Sequence, residues 1–433
     1  MLARKAYDKL LAWKSSPGKT ALLVTGARQV GKSYLIEQFA QNEFDRYVRF
    51  DLIEQRDVLS AVSKCESSNE LFMTLSAFGG PNFVPGDTCV IIDEVQECKE
   101  IVTFIKYLMQ YEGYRFVLSG SLLGVELRDV RSLPVGYMSI LEMYPLDFEE
   151  FCWAQGLRNE LLQNAHESID QRKPVFQSLH QRLLDLFHYY LIVGGMPAAV
   201  NAFIQTSNLV QTKTVQDDIV RLYRTDISKY ATNGKLVIRE IYDQLPAQLD
   251  SQSKRFSFSS LAPKGTYERY QEEFLWMIDA GAALAVTNVA ELRHPLKLAE
   301  SRSFFKLFAN DVGLLCGMCG MDVVKGIVSD NLCVNYGSIY ENAVAQELHA
   351  HGHALHYYRN KKIGELDFVI ETGLGNVVPI EVKSGKDYKR HSALSNALKM
   401  PNWAINEAIV LCEKNVEIGE RIAYLPVYAV MWL

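Results

Sequence analysis

The stretch TALLVTGARQVGKSYLIEQFA, residues 20–40, constrains the fold more than any other part of the chain. It reads as an apolar strand, a glycine-marked loop and a helix. Gly26, Ala27, Arg28, Gln29, Val30, Gly31, Lys32 and Ser33 follow the pattern G-x-x-x-x-G-K-[ST] in that strand–loop–helix setting. Glycines let the backbone turn its N–H groups inward around phosphate oxygens. Lys32 then reaches the β- and γ-phosphates, and Ser33 binds magnesium. Leu35, Ile36 and Phe39 share one side of the helix, as a core-packing helix requires. ATP and Mg2+ are the expected ligands.

A second element agrees with the first. TCVIIDEVQE, residues 88–97, is an apolar strand ending in Asp93-Glu94. Asp93 is expected to hold magnesium, and Glu94 to polarise the attacking water. RFVLSGS gives another buried strand, ending in Ser119 and Ser121; one of these hydroxyls is expected to sense the γ-phosphate. RYVRFDL supplies a further strand and GYMSILEMYPL an edge strand. Strands alternating with helical segments imply a parallel sheet, with the nucleotide at its carboxyl edge. Extra positive charge for phosphoryl transfer has three candidates: Arg128 and Arg131 in GVELRDVRSLP, and Arg28 in the loop.

These motifs, with MYPLDFEEF, LIVGGMPAAV, RTDISKYA, NDVGLL and YENAVAQEL…ELDFVI…IEVKSG further on, resemble a group of prokaryotic AAA-type ATPases. That group has a GARQVGK loop, an IDEVQ Walker B strand and a C-terminal domain of uncharacterised function. The resemblance covers nearly the whole chain. A Gly-Arg pair commonly follows the serine strand in the group; this chain has Gly136-Tyr137 there, a departure from the pattern that would supply an arginine finger.

At 433 residues the chain is expected to hold two to four domains. Its net charge of −6 gives no global signal for nucleic acid and leaves room for a local basic face. Eight cysteines over this length do not make a disulfide scaffold. The start, MLARKAYDKLLAWKSS, lacks the apolar core of a signal peptide, and no long uncharged apolar run appears. A cytoplasmic protein without a membrane partner is expected.

The middle is helical. GLRNELLQNAHESIDQRKPVFQS, residues 156–178, reads as a connector, and LHQRLLDLFHYYLIVGGMPAAVNAFI as helix broken at Gly194-Gly195 and Pro197. From about 235 to 295 the order helix, short helix, turn, helix, strand fits a winged helix–turn–helix. Glu268, Glu272 and Glu273 on its YERYQEEF helix would face phosphates, and Lys254, Arg255 and Lys264 are the only nearby basic group. A docking role is therefore favoured over DNA reading.

GELDFVIETGLGNVVPIEVKSG, residues 364–385, reads as a hairpin. Side chains alternate faces along a strand. With the turn centred on Leu374, Asp367 lies opposite Glu381, and Glu365 opposite Lys383. Like charges directly opposite destabilise a sheet by up to about 1 kcal/mol. A divalent cation between them reverses that sign, and magnesium suits a few carboxylates plus water. Glu365–Lys383 can equally be an ordinary cross-strand ion pair. The hairpin also resembles the PD-(D/E)xK nuclease core. That resemblance implies Asp367 and Glu381 as magnesium ligands, Glu341 in YENAVAQEL as the helix acid, and Lys383 as the catalytic lysine.

Cys316 and Cys319 mimic a redox pair but lack a thioredoxin-like setting, so buried cysteines are expected. His349, His351, His353 and His356 read as a polar loop rather than a metal cluster. The expected fold is α/β: a P-loop parallel-sheet ATPase domain over 1–152, a helical connector over 153–234, a winged-helix-like domain over 235–300, and a restriction-endonuclease-like domain over 301–433. The expected function is an ATPase whose nucleotide state controls a nuclease-like module acting on DNA. The alternative is an ATP-gated switch or scaffold that binds a protein partner and cuts nothing.

Overall fold

The computed structural model describes residues 2–18, 20–121, 136–230, 234–251, 253–329, 336–403 and 405–433. They form two compact units. One comprises 3–144 with 279–281, the other 145–278 with 282–433.

The first unit is built on five parallel strands: β1 (Ala21–Gly26), β2 (Arg46–Asp51), β3 (Thr88–Asp93), β4 (Tyr114–Ser119) and β5 (Met138–Met143), in the order β2-β3-β4-β1-β5. All six residues of β3 are buried. Its unbroken apolar run is what a strand covered on both faces requires. β2 and β5 are only partly buried, and each stands at an edge; the edge expected at GYMSILEMYPL is present. The helix Glu100–Leu108 turns Ile101, Val102, Ile105 and Leu108 inward against Val90, Ile92, Phe116 and Leu118. Fully burying each of these side chains contributes roughly 1.5–3 kcal/mol. The sheet thus brings Gly26, Asp93 and Ser119 to its carboxyl edge, with Val24 level with Ser119.

The second unit pairs a helical layer with an eight-stranded mixed sheet. Its strands are β6 (Ala283–Val289), β7 (Glu300–Ala309), β8 (His356–Asn360), β9 (Gly364–Thr372), β10 (Asn376–Val382), β11 (Ala408–Cys412), β12 (Glu417–Ile418) and β13 (Ile422–Pro426). Their order is β12-β13-β11-β10-β9-β8-β6-β7. The helices Lys235–Asp243 and Leu245–Asp250, the 3-10 turn Phe258–Ser260 and the helix Tyr267–Asp279 precede β6; the segment KLVIREIYDQLPAQL, read as one helix, is split in two, and the short helix read at FSSLA is the 3-10 turn. β6 itself pairs with β7 and β8, so it lies in the same sheet as the hairpin. The expected boundary at 300/301 falls within β7.

Four of the motifs without evident chemistry, MYPLDFEEF, LIVGGMPAAV, NDVGLL and YENAVAQEL, meet through buried polar contacts. Glu347 accepts from the Phe148 N–H (2.9 Å) and the Tyr190 hydroxyl (2.8 Å). Asp311 caps the helix Val312–Cys319 through the Leu314 N–H (2.9 Å) and accepts from the Gly195 N–H (2.6 Å). Gln346 accepts from the Val312 N–H (2.8 Å), and Asn342 exchanges two hydrogen bonds with Ala309. Gly194 has φ +73°, and a Cβ on Gly195 would lie 2.0 Å from the Leu146 carbonyl. The glycine pair lets these segments close on each other. Each buried donor or acceptor left alone would cost about 1–3 kcal/mol.

Candidate functional site

The phosphate loop leaves β1 and enters the helix Lys32–Glu43 at Gly31, whose φ of +91° suits glycine. Lys32 is buried and folds back on its own loop, donating to the carbonyls of Gly26 (3.0 Å) and Ala27 (2.8 Å). Burial pulls its pKa down to about 8, although Glu94 and Asp93 work the other way. Arg4 clasps the loop from behind, donating to the Val30 carbonyl (3.0 Å) and the Tyr144 carbonyl (2.7 Å).

Asp93 is 2% exposed at the end of β3. One oxygen accepts from the Ser119 hydroxyl and from the Glu94 N–H (3.1 Å). The other accepts from Arg49 Nη2 at 2.9 Å, and the Ser33 hydroxyl lies beside this carboxylate. Burial alone would raise its pKa; the hydrogen bonds from Ser119, Ser33 and Arg49 hold it below the ordinary value. Ser33 and Asp93 thus place two hard oxygen donors together beside the loop, a donor set that suits magnesium. Glu94 sits in the left-handed region at φ +57°. Its carboxylate accepts from Gln96 and, at 3.4 Å, from the Ser121 hydroxyl. The two serines therefore each back one acid. Arg49 joins the site from the neighbouring strand, also donating to Asp51 at 3.1 Å. Arg28 is half-buried in the loop, whereas Arg128 and Arg131 lie outside the described residues.

In the second unit, the hairpin register pairs Ile380 with Phe368 and Pro379 with Val369. The ladder has the expected register but ends there, one residue short of the expected Asp367–Glu381 pair. Asp367 accepts from the Val382 N–H at 2.9 Å, and Lys383 Nζ donates to Glu381 at 2.7 Å. Glu341 projects from the helix Gly337–Ala350 into the same cavity of about 380 Å³, lined by Lys254, Glu341, Asp367, Glu381, Lys383 and Arg390 among others.

The expected Glu365–Lys383 pair is not formed. β10 leaves β9 after Ile380 to follow β11, and the Lys383 N–H binds the Leu411 carbonyl at 2.8 Å. Glu365 pairs instead with Lys306 Nζ (2.7 Å) and Arg359 (3.3 Å). Lys306, fully buried on β7, also lies 3.8 Å from Glu341. Lys254, read from sequence as part of a basic surface group, ion-pairs with Glu341, and Arg255 lies 4.6 Å over the Phe304 ring.

Burial, reinforced by the charge of Asp367, pushes Glu381 up to about 8 and raises Glu341. Burial works against the Lys383 ammonium, but Glu381 beside it holds its pKa above the ordinary value. One oxygen of Glu341 and one of Glu381 are buried without a hydrogen-bond partner. Such orphaned hard oxygens fit a divalent cation. Among the described residues, though, no three His, Cys, Asp or Glu side chains converge closely enough to hold a metal as they stand. Lysines are interleaved with the acids.

The remaining candidates separate. Cys316 is buried, while Cys319 is exposed at its helix end. His356 is buried against Glu300 (2.9 Å), and His351 lies 3.5 Å from Asp147.

Residues 18–152 match an AAA domain family. Residues 184–325 and 336–430 match two domains of unknown function, DUF8612 and DUF4143. No curated protein matches the chain. Among solved structures, it is similar to a Walker-type ATPase of Pyrococcus abyssi at 14% identity, covering 74% of this chain and 96% of that one, with a TM-score of 0.45. The Thermotoga maritima RuvB Holliday junction branch migration motor aligns at 12% identity, 68% and 91% coverage, and a TM-score of 0.28. AMPPCP-bound DnaA from Aquifex aeolicus aligns at 11% identity, 63% and 88% coverage, and a TM-score of 0.31. The family match spans the sheet and the loop that carry Lys32, Asp93 and Glu94, so residues 18–152 form a P-loop domain similar to the AAA type.

Proposed function

We propose that the chain binds and hydrolyses Mg-ATP, and that its nucleotide state controls the carboxylate–lysine pocket, a nuclease-like site acting on DNA. A buried Asp93, held by Ser119 and Arg49 at the strand end, together with a buried Lys32 folded onto its glycine loop, carries the ATPase reading. Lys32 exchanges its two loop carbonyls for phosphate oxygens. Ser33 and Asp93 hold the ion, and Glu94 orients the attacking water. Bound magnesium neutralises phosphate charge. Replacing Lys32 with alanine tests this: ATP turnover should vanish, and unchanged turnover would sink the assignment.

For the pocket, the support is the shared cavity of Glu341, Asp367 and Glu381, with one buried oxygen of Glu341 and one of Glu381 that make no hydrogen bond. These acids would hold the cation, and Lys383 would stabilise charge developing on phosphate. Purified protein with magnesium or manganese should nick plasmid or single-stranded DNA, and Asp367→Ala should not. The proposed division keeps 153–234 as connector, 235–300 as winged-helix-like and 301–433 as the nuclease-like part. One observation favours a second reading, an ATP-gated scaffold for a protein partner: lysines already satisfy much of the acidic charge. Absence of cleavage in every nucleotide state would select it. Among the described residues no helix is long and apolar enough to cross a membrane.

A further inference from the structure

Three lysines approach the acids of the second unit, and they differ in how firmly they are held. Lys306 is fully buried and anchored on Glu365 at 2.7 Å. Lys383 lies two residues from its partner Glu381 on the same segment. Lys254 alone of the three comes from the stretch between the helices Leu245–Asp250 and Tyr267–Asp279, remote in sequence from every acid it meets. Its side chain is 19% exposed and lines the cavity.

The backbone delivers Lys254 at a cost. Its φ is +48°, a region that lysine rarely adopts. The conformation is enforced from both sides. The Lys254 N–H binds the Ser251 carbonyl at 3.1 Å, Arg255 bridges to Lys306, and the Phe256 N–H binds the Phe305 carbonyl at 3.1 Å. Phe256 is locked among Phe258, Phe274 and Phe305. A short anchored segment thus directs one ammonium onto one oxygen of the buried Glu341, while the other oxygen makes no hydrogen bond and lies 3.8 Å from the anchored Lys306.

We propose that Lys254 is a removable internal counter-ion: it occupies the cation position at Glu341 and must withdraw before a divalent ion binds. This rests on the cation-site reading given above. The Lys254 ammonium neutralises the charge of Glu341 and repels a divalent ion arriving beside it, so the two occupancies compete. Apparent cation affinity is then reduced by the fraction of molecules in which Lys254 is withdrawn. Any event that lifts residues 253–256 from β7 opens the pocket to the cation.

The test is Mn2+ binding to the nucleotide-free full chain, read from the electron paramagnetic resonance of free manganese. Asp93→Asn is present in every sample to silence the phosphate-loop site. Lys254→Met and Lys254→Gln should each bind Mn2+ at least about tenfold more tightly, and Lys254→Arg should stay within about twofold of the parent. Thermal unfolding confirms that each variant is folded, and the glutamine variant serves if the methionine variant is not. Asp367→Asn should weaken binding in both the parent and Lys254→Met. If Asp367→Asn weakens binding but neither neutral variant strengthens it, the counter-ion inference is overturned and the cation site stands. If Asp367→Asn changes nothing in any background, the cation site itself falls, and the inference with it.

Discussion

Arg49 on β2 donates across 2.9 Å to Asp93 on β3, so the acid assigned to magnesium is held by a guanidinium from the neighbouring strand. Arg49 also reaches Asp51, which is level with Asp93 in the ladder. Removing one partner of a largely buried pair leaves the other uncompensated. Arg49→Ala should destabilise the first unit by about 1–3 kcal/mol, given that Arg49 remains partly solvated. Urea unfolding measures this. A change below about 0.5 kcal/mol would show that solvent already screens the pair.

Lys32 gives the ATPase site a pH signature. With its pKa lowered by burial to about 8 and 10.5 as its ordinary value, the folded domain loses this proton before the unfolded chain does. The unfolded state binds more protons between those values, so this group makes the domain more stable as pH rises from about 8 to 10.5. Bound phosphate favours the charged amine. Nucleotide affinity should therefore fall as pH rises past about 8 and proton uptake should accompany binding there. Calorimetry in buffers of different ionisation enthalpy checks both, and a flat profile in Lys32→Ala is the control.

Gly195→Ala should be severe. The new methyl would sit 2.0 Å from the Leu146 carbonyl, which is backbone and cannot step aside. The segment that donates to Asp311 would be pushed away. A loss of about 3 kcal/mol or more is expected from overpacking plus a broken buried bond. Thermal unfolding of the full chain would show it as a lowered transition, and a wild-type melting curve would refute the close approach.

Lys306→Met should cost about 3–5 kcal/mol, because Glu365 and Glu341 lose a fully buried counter-charge. Adding Glu365→Met should recover part of that loss. A double-mutant cycle isolates the coupling; additive single effects would mean the pair contributes nothing specific.

The parts of this molecule that were legible in its sequence are local ones. The phosphate loop, the Asp93-Glu94 strand end and the hairpin register each follow from spacing within one or two adjacent elements. What escaped depends on which strands become neighbours. Arg49 matters only because β2 lies beside β3, and Lys306 only because β7 lies in the hairpin's sheet. Glu365 looked like a partner for Lys383 until β10 turned to follow β11. Asp311, Gln346 and Glu347 carry no chemistry that spacing reveals; they are donors and acceptors completed by segments far away in sequence. Lys254 was visible as a charge, but its destination was set by an aromatic anchor two residues on.

The sheet order also bears on inheritance. The two regions of unknown function, 184–325 and 336–430, meet edge to edge within one sheet: β6 and β7 belong to the first, β8 to β13 to the second. A recombination event between them would strip β8 of its neighbour β6 and expose a row of unpaired backbone groups. It would also part Lys306 from Glu365. The two regions are therefore expected to travel through evolution as a single cassette, and a chimaera that exchanges one must carry the other.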